Sequence, residues 1–355
     1  MQYFQDHLAR IRHAAWAAVK PQGMSVLFVA LHPELFAPED FTGFAEPPIR
    51  SLTHIHDNDA LQALSGRFDA AIVVNAATDE NSTLFHLRRL DLAEIAIAWT
   101  WDNHHSPEKT LRINQLADVV VPGHKFCAGY MKMPSAVLGL HVPLGTNQWT
   151  RTDADRFFAQ SAEMPRGNAL HGGFVRWDMG GGKKRVELVT MLRQRLPENA
   201  LSLLSPAERN RYHQMSPADR WQDWSRYKAG LILPLAQDLS TRFFDSLLTG
   251  QIPIVPMSCL DLDSVIPPSL QEQLPVIRFA EETPDAIEAA WRTALARFDA
   301  EGLAGAERRH CYALQNHHIM QRLKSICAQI ELIKDGRRIR IEADGDAVGF
   351  VLGEP

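Results

Sequence analysis

The chain has 355 residues, 45% of them apolar and 22% charged. That is enough apolar material for two cores, with the charge content of an ordinary water-soluble protein. A formal net charge of −5 argues against wholesale nucleic-acid binding. The four cysteines (Cys127, Cys259, Cys311, Cys327) are far apart and form no C-x-x-C pair. They point away from a zinc site or a disulfide framework and towards a reducing compartment. There is no apolar run of about 18 residues to cross a membrane, and the first residues lack the apolar core of a signal peptide. The expected location is cytoplasmic.

Residues 2–19 predict an amphipathic helix, with Phe4, Leu8, Ile11, Ala15 and Val19 near one stripe and Arg10, Arg12 and His13 off it. Such a helix either packs on its own domain or lies on a membrane surface. The modest, Ala-rich stripe favours packing, and a peripheral contact with the inner face of the membrane stays open. Residues 25–31, SVLFVAL, predict a buried strand ending at His32-Pro33. The following loop has no G-x-G-x-x-G pattern, which argues against an NAD-type site. His32 either caps the strand end or acts as a base, since a neutral imidazole can take a hydroxyl proton near pH 7. Residues 51–64 predict a strand and a helix separated by His54, His56 and Asp57. These are ligand types for first-row metal ions, but no third-ligand motif accompanies them, and no metal is expected.

Residues 69–75 predict another strand, 80–90 a helix, and 95–101, IAIAWTW, a strand running into Asp102-Asn103-His104-His105. A polar cluster at the carboxyl end of a strand is where α/β enzymes work. Asp102 can activate a hydroxyl or orient His104 or His105; the alternative is a polar loop of structural caps. Trp99 and Trp101 offer flat apolar faces to the C–H side of a sugar ring, with Asn103 beside them. Two short strands follow at 117–122 and 135–138, with His124 between them. Regular structure breaks at 142–147, VPLGTN, which ends a first domain of residues 1–150 and puts the boundary near 145–165.

The second domain opens with 168–175, NALHGGFV, a strand into the pair Gly172-Gly173. Gly180-Gly181-Gly182 then precede Lys183, Lys184, Arg185 and a helix over 186–196. A Gly-rich basic loop opening a helix is a place for phosphate, because free N–H groups and the helix dipole favour anions. It can equally be an exposed turn. Residues 201–204 predict a strand. The polar stretch 206–226 carries Pro206 and Pro217 at two helix starts.

Residues 227–256, YKAGLILPLAQDLSTRFFDSLLTGQIPIVP, contain a complete βαβ unit. An apolar strand leads to the capping residues Asp238, Ser240 and Thr241. Phe243, Phe244, Leu247 and Leu248 recur at helical spacing, Gly250 ends the helix, and 252–255 form the next strand. Such a unit belongs to a parallel sheet covered by helices. Arg242, near the helix start, can meet an anion or pair with a nearby carboxylate.

The spacing Ser240-x-Arg242-Phe243-Phe244-Asp245-x-Leu247-x-x-Gly250-x-Ile252-Pro253 resembles the donor-binding motif of exostosin-type glycosyltransferases. It is also similar to the matching segment of fucosyltransferases, where a Tyr-Lys pair precedes it as Tyr227-Lys228 does here. The resemblance covers about thirty residues. It implies a GT-B fold, with two Rossmann-like domains whose parallel sheets face across a cleft. The C-terminal domain, 165–335, would bind a nucleotide-diphosphate sugar through Gly172, Gly173, Lys184, Arg185, Lys228, Ser240, Thr241, Arg242 and Asp245, the last on the ribose hydroxyls. The N-terminal domain would present a glycan, lipid or protein acceptor to a base, His32, Asp102 or His104, with Trp99, Trp101 and Asn103 as acceptor contacts. No cofactor is implied, and no metal. Retaining relatives carry glutamates eight positions apart here; Gln237 breaks that pattern and favours inversion.

Residues 276–279 predict a strand, and 284–298 and 303–334 predict helices, the last able to return to the first domain. The tail, 336–355, reads as a β-hairpin without functional signature. Two rival functions share the scaffold. A sugar-nucleotide epimerase or hydrolase would need no acceptor, and a non-catalytic binding protein would tolerate loss of both His32 and Asp102.

Overall fold

The structure, a computed structural model, describes residues 2–30, 40–74, 91–101, 107–125, 128–177, 181–196, 198–235, 237–344 and 347–354. The chain divides into two units, residues 1–144 with 320–355 and residues 145–319. Among the described residues no helix is long and apolar enough to cross a membrane.

The first unit starts with α1 (Gln2–Ala18), followed by β1 (Met24–Val29), β2 (Ile49–Ile55), α2 (Asn58–Gln62), β3 (Phe68–Val74), β4 (Ala93–Thr100), α3 (Pro107–Asn114), β5 (Val119–Pro122) and β6 (Val137–Leu138). These six strands form a parallel sheet in the order 2-1-3-4-5-6. The runs 26–29 and 70–74 are buried on both faces, as strands covered by helices must be. On α1, Ile11, Ala15 and Ala18 are sealed and the helix packs on β3 and β4. The stripe legible in the sequence therefore faces its own unit. Trp16, on the opposite side, is 61% exposed, with the Lys334 ammonium 4.4 Å from its ring centre.

The second unit contains α4 (Arg151–Ser161), β7 (Gly167–Val175), α5 (Gly181–Arg195), β8 (Ala200–Leu204), α6 (Pro206–Gln214), α7 (Pro217–Ser225), β9 (Tyr227–Leu231), α8 (Thr241–Leu248) and β10 (Ile252–Pro256). It continues with α9 (Leu262–Val265), α10 (Pro268–Gln273), β11 (Ile277–Phe279) and α11 (Pro284–His317). Its sheet is parallel in the order β11-β10-β9-β7-β8. Each unit is thus a doubly wound, Rossmann-like sheet. Each has the switch point where such sheets bind ligands, between its first and third strands.

The chain then returns to the first unit. Helix α12 (Ile319–Asp335) belongs to that unit from Met320 onward. Its Gln329 side chain clamps Leu140, accepting from the backbone N–H at 2.7 Å and donating to the carbonyl at 3.2 Å. Strands β12 (Ile339–Asp344) and β13 (Ala347–Leu352) pair antiparallel, and β13 extends the first sheet parallel to β6. The second unit therefore ends at 319 rather than 335, and the hairpin is part of a sheet. Gly172 and Gly173, expected at the end of β7 beside a loop, lie inside the strand paired with Leu201 and Ser202. A Cβ at Gly172 would touch the Phe174 ring at 3.0 Å.

Helix α8 is buried along its length after Arg242, so its ends are fixed by side chains rather than by water. Ser240 caps its start. At its C-terminus the sealed Arg309 of α11 donates to the Gly250 carbonyl at 3.2 and 3.1 Å and pairs with Glu301 at 3.0 Å. His310 Nδ1 donates to the Leu248 carbonyl at 2.6 Å. A cationic donor such as Arg309 at a helix C-terminus offsets its dipole. Gly250 has φ +81°, and a Cβ there would lie 3.0 Å from Ala306 Cβ and 3.1 Å from the Phe158 ring. Gly250→Ala is expected to destabilise the protein by about 1–2 kcal/mol, measured by urea denaturation. An unchanged midpoint and slope would remove this constraint on α8.

Candidate functional site

The carboxyl ends of β7 and β9 flank the switch point of the second sheet. From α5, which opens after β7, Arg185 reaches both. Its Nη2 donates to the Val175 carbonyl at 2.8 Å and its Nη1 to the Leu233 carbonyl at 3.3 Å. One side chain thus ties the last residue of β7 to the loop after β9. The start of α5 is fixed by Gly182, where a Cβ would lie 2.3 Å from the Trp177 carbonyl oxygen; only glycine allows that approach.

Arg242, in the first turn of α8, faces the same place. Its guanidinium carbon is 5.8 Å from the Phe174 ring centre, and that of Arg185 is 5.7 Å away. Both distances fall within cation–π range. Neither guanidinium is in an ion pair among the described residues. Burial, then the positive charge of Arg242, lowers the Arg185 pKa to about 10 against the opposing charge of Asp238. Burial lowers that of Arg242 too, opposed by the nearby Asp245 and Asp238 carboxylates. At about 10, Arg185 remains charged at neutral pH. The result is two like charges around one aromatic ring, beside the N-terminus of α8, where Ser240 accepts from the Arg242 N–H at 3.4 Å and Thr241 is half-buried. Such an arrangement favours negative charge at this place.

Asp245 lies one turn further along α8, fully buried. Its Oδ2 accepts from Gln148 Nε2 at 2.6 Å. Gln148 Oε1 accepts from the Tyr212 hydroxyl at 3.1 Å, and that hydroxyl accepts from Trp224 Nε1 at 2.7 Å. Arg220 donates to the Gln148 carbonyl at 3.1 Å. Burial raises the Asp245 pKa to about 6, opposed by Thr146, Gln148, Arg242 and Arg220. Burial, then the charge of Asp245, also raises the pKa of the Tyr212 phenol. Asp245 therefore fastens residues 145–150 to α8 and is sealed from a ligand, which corrects the expectation that it bonds ribose hydroxyls.

Other expected site residues are placed differently. Lys228 is the second residue of β9, at the amino end of the strand and so at the edge of the sheet opposite the switch-point loops. Its ammonium pairs with Asp299 at 2.6 Å. Lys184 is exposed on α5. In the first unit, Trp99 is sealed, with its indole donating to the Val142 carbonyl at 2.8 Å, and Trp101 is 3% exposed, packed edge-on against Trp99. Neither presents a free face to a sugar. His54 stacks on Phe28, and burial followed by the charge of His56 lowers its pKa to about 4. His32, Asp102, Asn103 and His104 lie outside the described residues. Phe174, Gln148, Tyr212 and Arg220 carry no sequence signal: Gln148 meets Asp245 across 97 positions.

No protein-family model matches the chain, and no curated protein matches it. Three solved structures are similar in shape. The apo structure of OtsA has a TM-score of 0.47 at 11% identity, over 77% of this chain and 75% of that one. The structure of trehalose-6-phosphate from E. coli bound with UDP-2-fluoro glucose has a TM-score of 0.47 at 10% identity, with the same coverage. A protein described as a UDP-N-acetylglucosamine 2-epimerase from Listeria monocytogenes has a TM-score of 0.43 at 10% identity, over 86% of this chain and 96% of that one. Likeness at this level assigns neither activity nor ligand to this chain.

The burial of Asp245 has a sign that can be measured. Its folded pKa of about 6 exceeds the ordinary aspartate value of 3.8. The folded state therefore binds the extra proton, and this contribution is present below about pH 4 and lost as pH rises through 6. Relative to Asp245→Asn, the wild type should lose about 2–3 kcal/mol of stability between pH 4 and pH 7. Urea denaturation of both proteins across that range tests this; parallel profiles would show that the carboxylate is not desolvated.

Proposed function

We propose that the chain is a glycosyltransferase of the GT-B type that takes a sugar from a nucleoside-diphosphate donor. The observation that carries this reading is the pair Arg185 and Arg242, of like charge and without an ion-pair partner among the described residues, at the switch point of the second sheet. A diphosphate supplies the missing negative charge, and the N–H groups opening α8 add to its binding. Planar guanidiniums suit two phosphoryl groups better than a single point charge does.

In the proposed reaction an acceptor hydroxyl of a glycan, lipid or protein loses its proton to a base, His32, Asp102 or His104. The oxygen forms a bond to the anomeric carbon from the face opposite the nucleotide, and the bond from that carbon to the diphosphate oxygen breaks. Arg185 and Arg242 stabilise the departing charge, the largest that develops. Fixed cations of this kind can do the work of a metal, so the proposed reaction is inverting and metal-independent. Ser240, Thr241 and Lys184 remain candidate donor contacts. Lys228 is left out because its charge is engaged by Asp299 at the other edge of the sheet.

The test is nucleotide binding followed by product analysis. UDP, GDP and dTDP are titrated by calorimetry without metal. One of them should bind, Arg185→Ala and Arg242→Ala should each weaken it at least about tenfold, and Lys228→Ala should leave it unchanged. With the matching nucleotide-sugar, nucleoside diphosphate should be released only when an acceptor is present. Release without acceptor, or no binding of any nucleoside diphosphate, would overturn the proposal.

A further inference from the structure

Strand β12 ends the order of the eight-stranded sheet, with β13 on one side of it. Its register with β13 decides which backbone groups it offers outward. The Gly353 N–H donates to the Arg338 carbonyl at 2.9 Å, directly opposite it, and pairing continues through Arg340↔Val351 and Glu342↔Gly349. In an antiparallel ladder, inward and outward groups alternate. Arg338, Arg340 and Glu342 therefore turn their backbone towards β13, and Ile341 and Ala343 turn theirs away from it.

An outward-facing edge is a template for another strand, and proteins commonly blunt such edges with scattered charge. Here the charge is ordered instead. In 338–344, RIRIEAD, basic residues fill the first half and acidic residues the second. If the same strand from a second copy pairs antiparallel about a two-fold axis at Ile341, position i meets position 682 − i. Ile341 then meets its own symmetry mate, and Arg340 meets Glu342 twice. The Ile341 pair exchanges its outward N–H and C=O groups. The Arg340–Glu342 pairs fall at positions without backbone hydrogen bonds, where opposite side chains come closest. Isologous two-fold contacts demand this kind of self-complementarity.

The side chains are available for it. Ile341 is 59% exposed, and among the described large apolar residues only Trp16 is more so. The Arg340 side chain is 67% exposed and only 3.6 Å from Glu342 on its own strand. Glu342 also meets Lys132 at 3.1 Å, which holds it in place and leaves its side chain 36% exposed.

We propose that β12 is a homodimerisation edge, joining the first sheets of two copies through an antiparallel β12–β12 pair centred on Ile341. Sedimentation equilibrium of the full chain across the micromolar range should give a reversible dimer. Arg340→Glu sets Glu against Glu at both pairs, and Glu342→Arg sets Arg against Arg; each should weaken dimerisation at least about tenfold. An equimolar mixture of the two variants restores opposite charges and should dimerise again, a result that local misfolding of either variant cannot produce. A monomeric wild type, a dimer indifferent to Arg340→Glu, or a mixture that stays monomeric would each overturn the proposal. So would a wild type that associates only with an added extended peptide, since the edge would then serve another partner.

Discussion

Arg185 holds the second sheet's switch point together. By donating to the carbonyls of Val175 and Leu233, it fixes the spacing of the two strand ends between which a ligand can enter. It also joins α5 to the loop that leads into α8. Both helix N-termini are thereby aimed at the same ground. The guanidinium is suited to this role because its planar fork meets two acceptors at once and stays charged when buried. The same charge is costly to bury, since Arg242 brings a second cation to the same Phe174 ring.

The cluster tolerates that cost because α8 cannot move away from it. Its buried face packs in the unit's core, and Arg309 and His310 hold its far end. Asp245 fastens residues 145–150 to its side through Gln148. The carboxylate lies near enough to Arg242 and Arg220 for their charges to favour its ionised form. A buried acid that positions the backbone and two arginines that form no ion pair among the described residues are complementary parts of one electrostatic arrangement. One gives shape and the other concentrates positive charge at the start of α8. The first unit repeats the topology, but His32 and Asp102 to His104 fall outside the described residues.

The sequence-level expectations held where the physics is local and shifted where it is not. Ser240 caps α8 and Gly250 ends it, as short-range rules require. Arg185 and Arg242 converge because each sits at the start of a helix that follows a parallel strand. Lys228 went astray by the polarity of β9. The pair Tyr227-Lys228 opens that strand, so it lies at the amino edge of the sheet, and Asp299 of α11 takes its charge. Trp99 and Trp101 are aromatic residues at a strand's carboxyl end, but alternation along the strand does not say whether a face meets solvent or a helix. Here both rings are covered.

By itself the sequence determined the alternation of buried strands and helices, the caps and stops of α8, and the concentration of cations around residues 183–185 and 242. These follow from side-chain periodicity and backbone preference within a few residues. Only the tertiary structure decided that residues 320–335 return to the first unit, that the hairpin extends its sheet, and that Asp245 is sealed by Gln148 from 97 positions away. Burial and charge pairing depend on which distant segments meet, and no local pattern encodes those meetings.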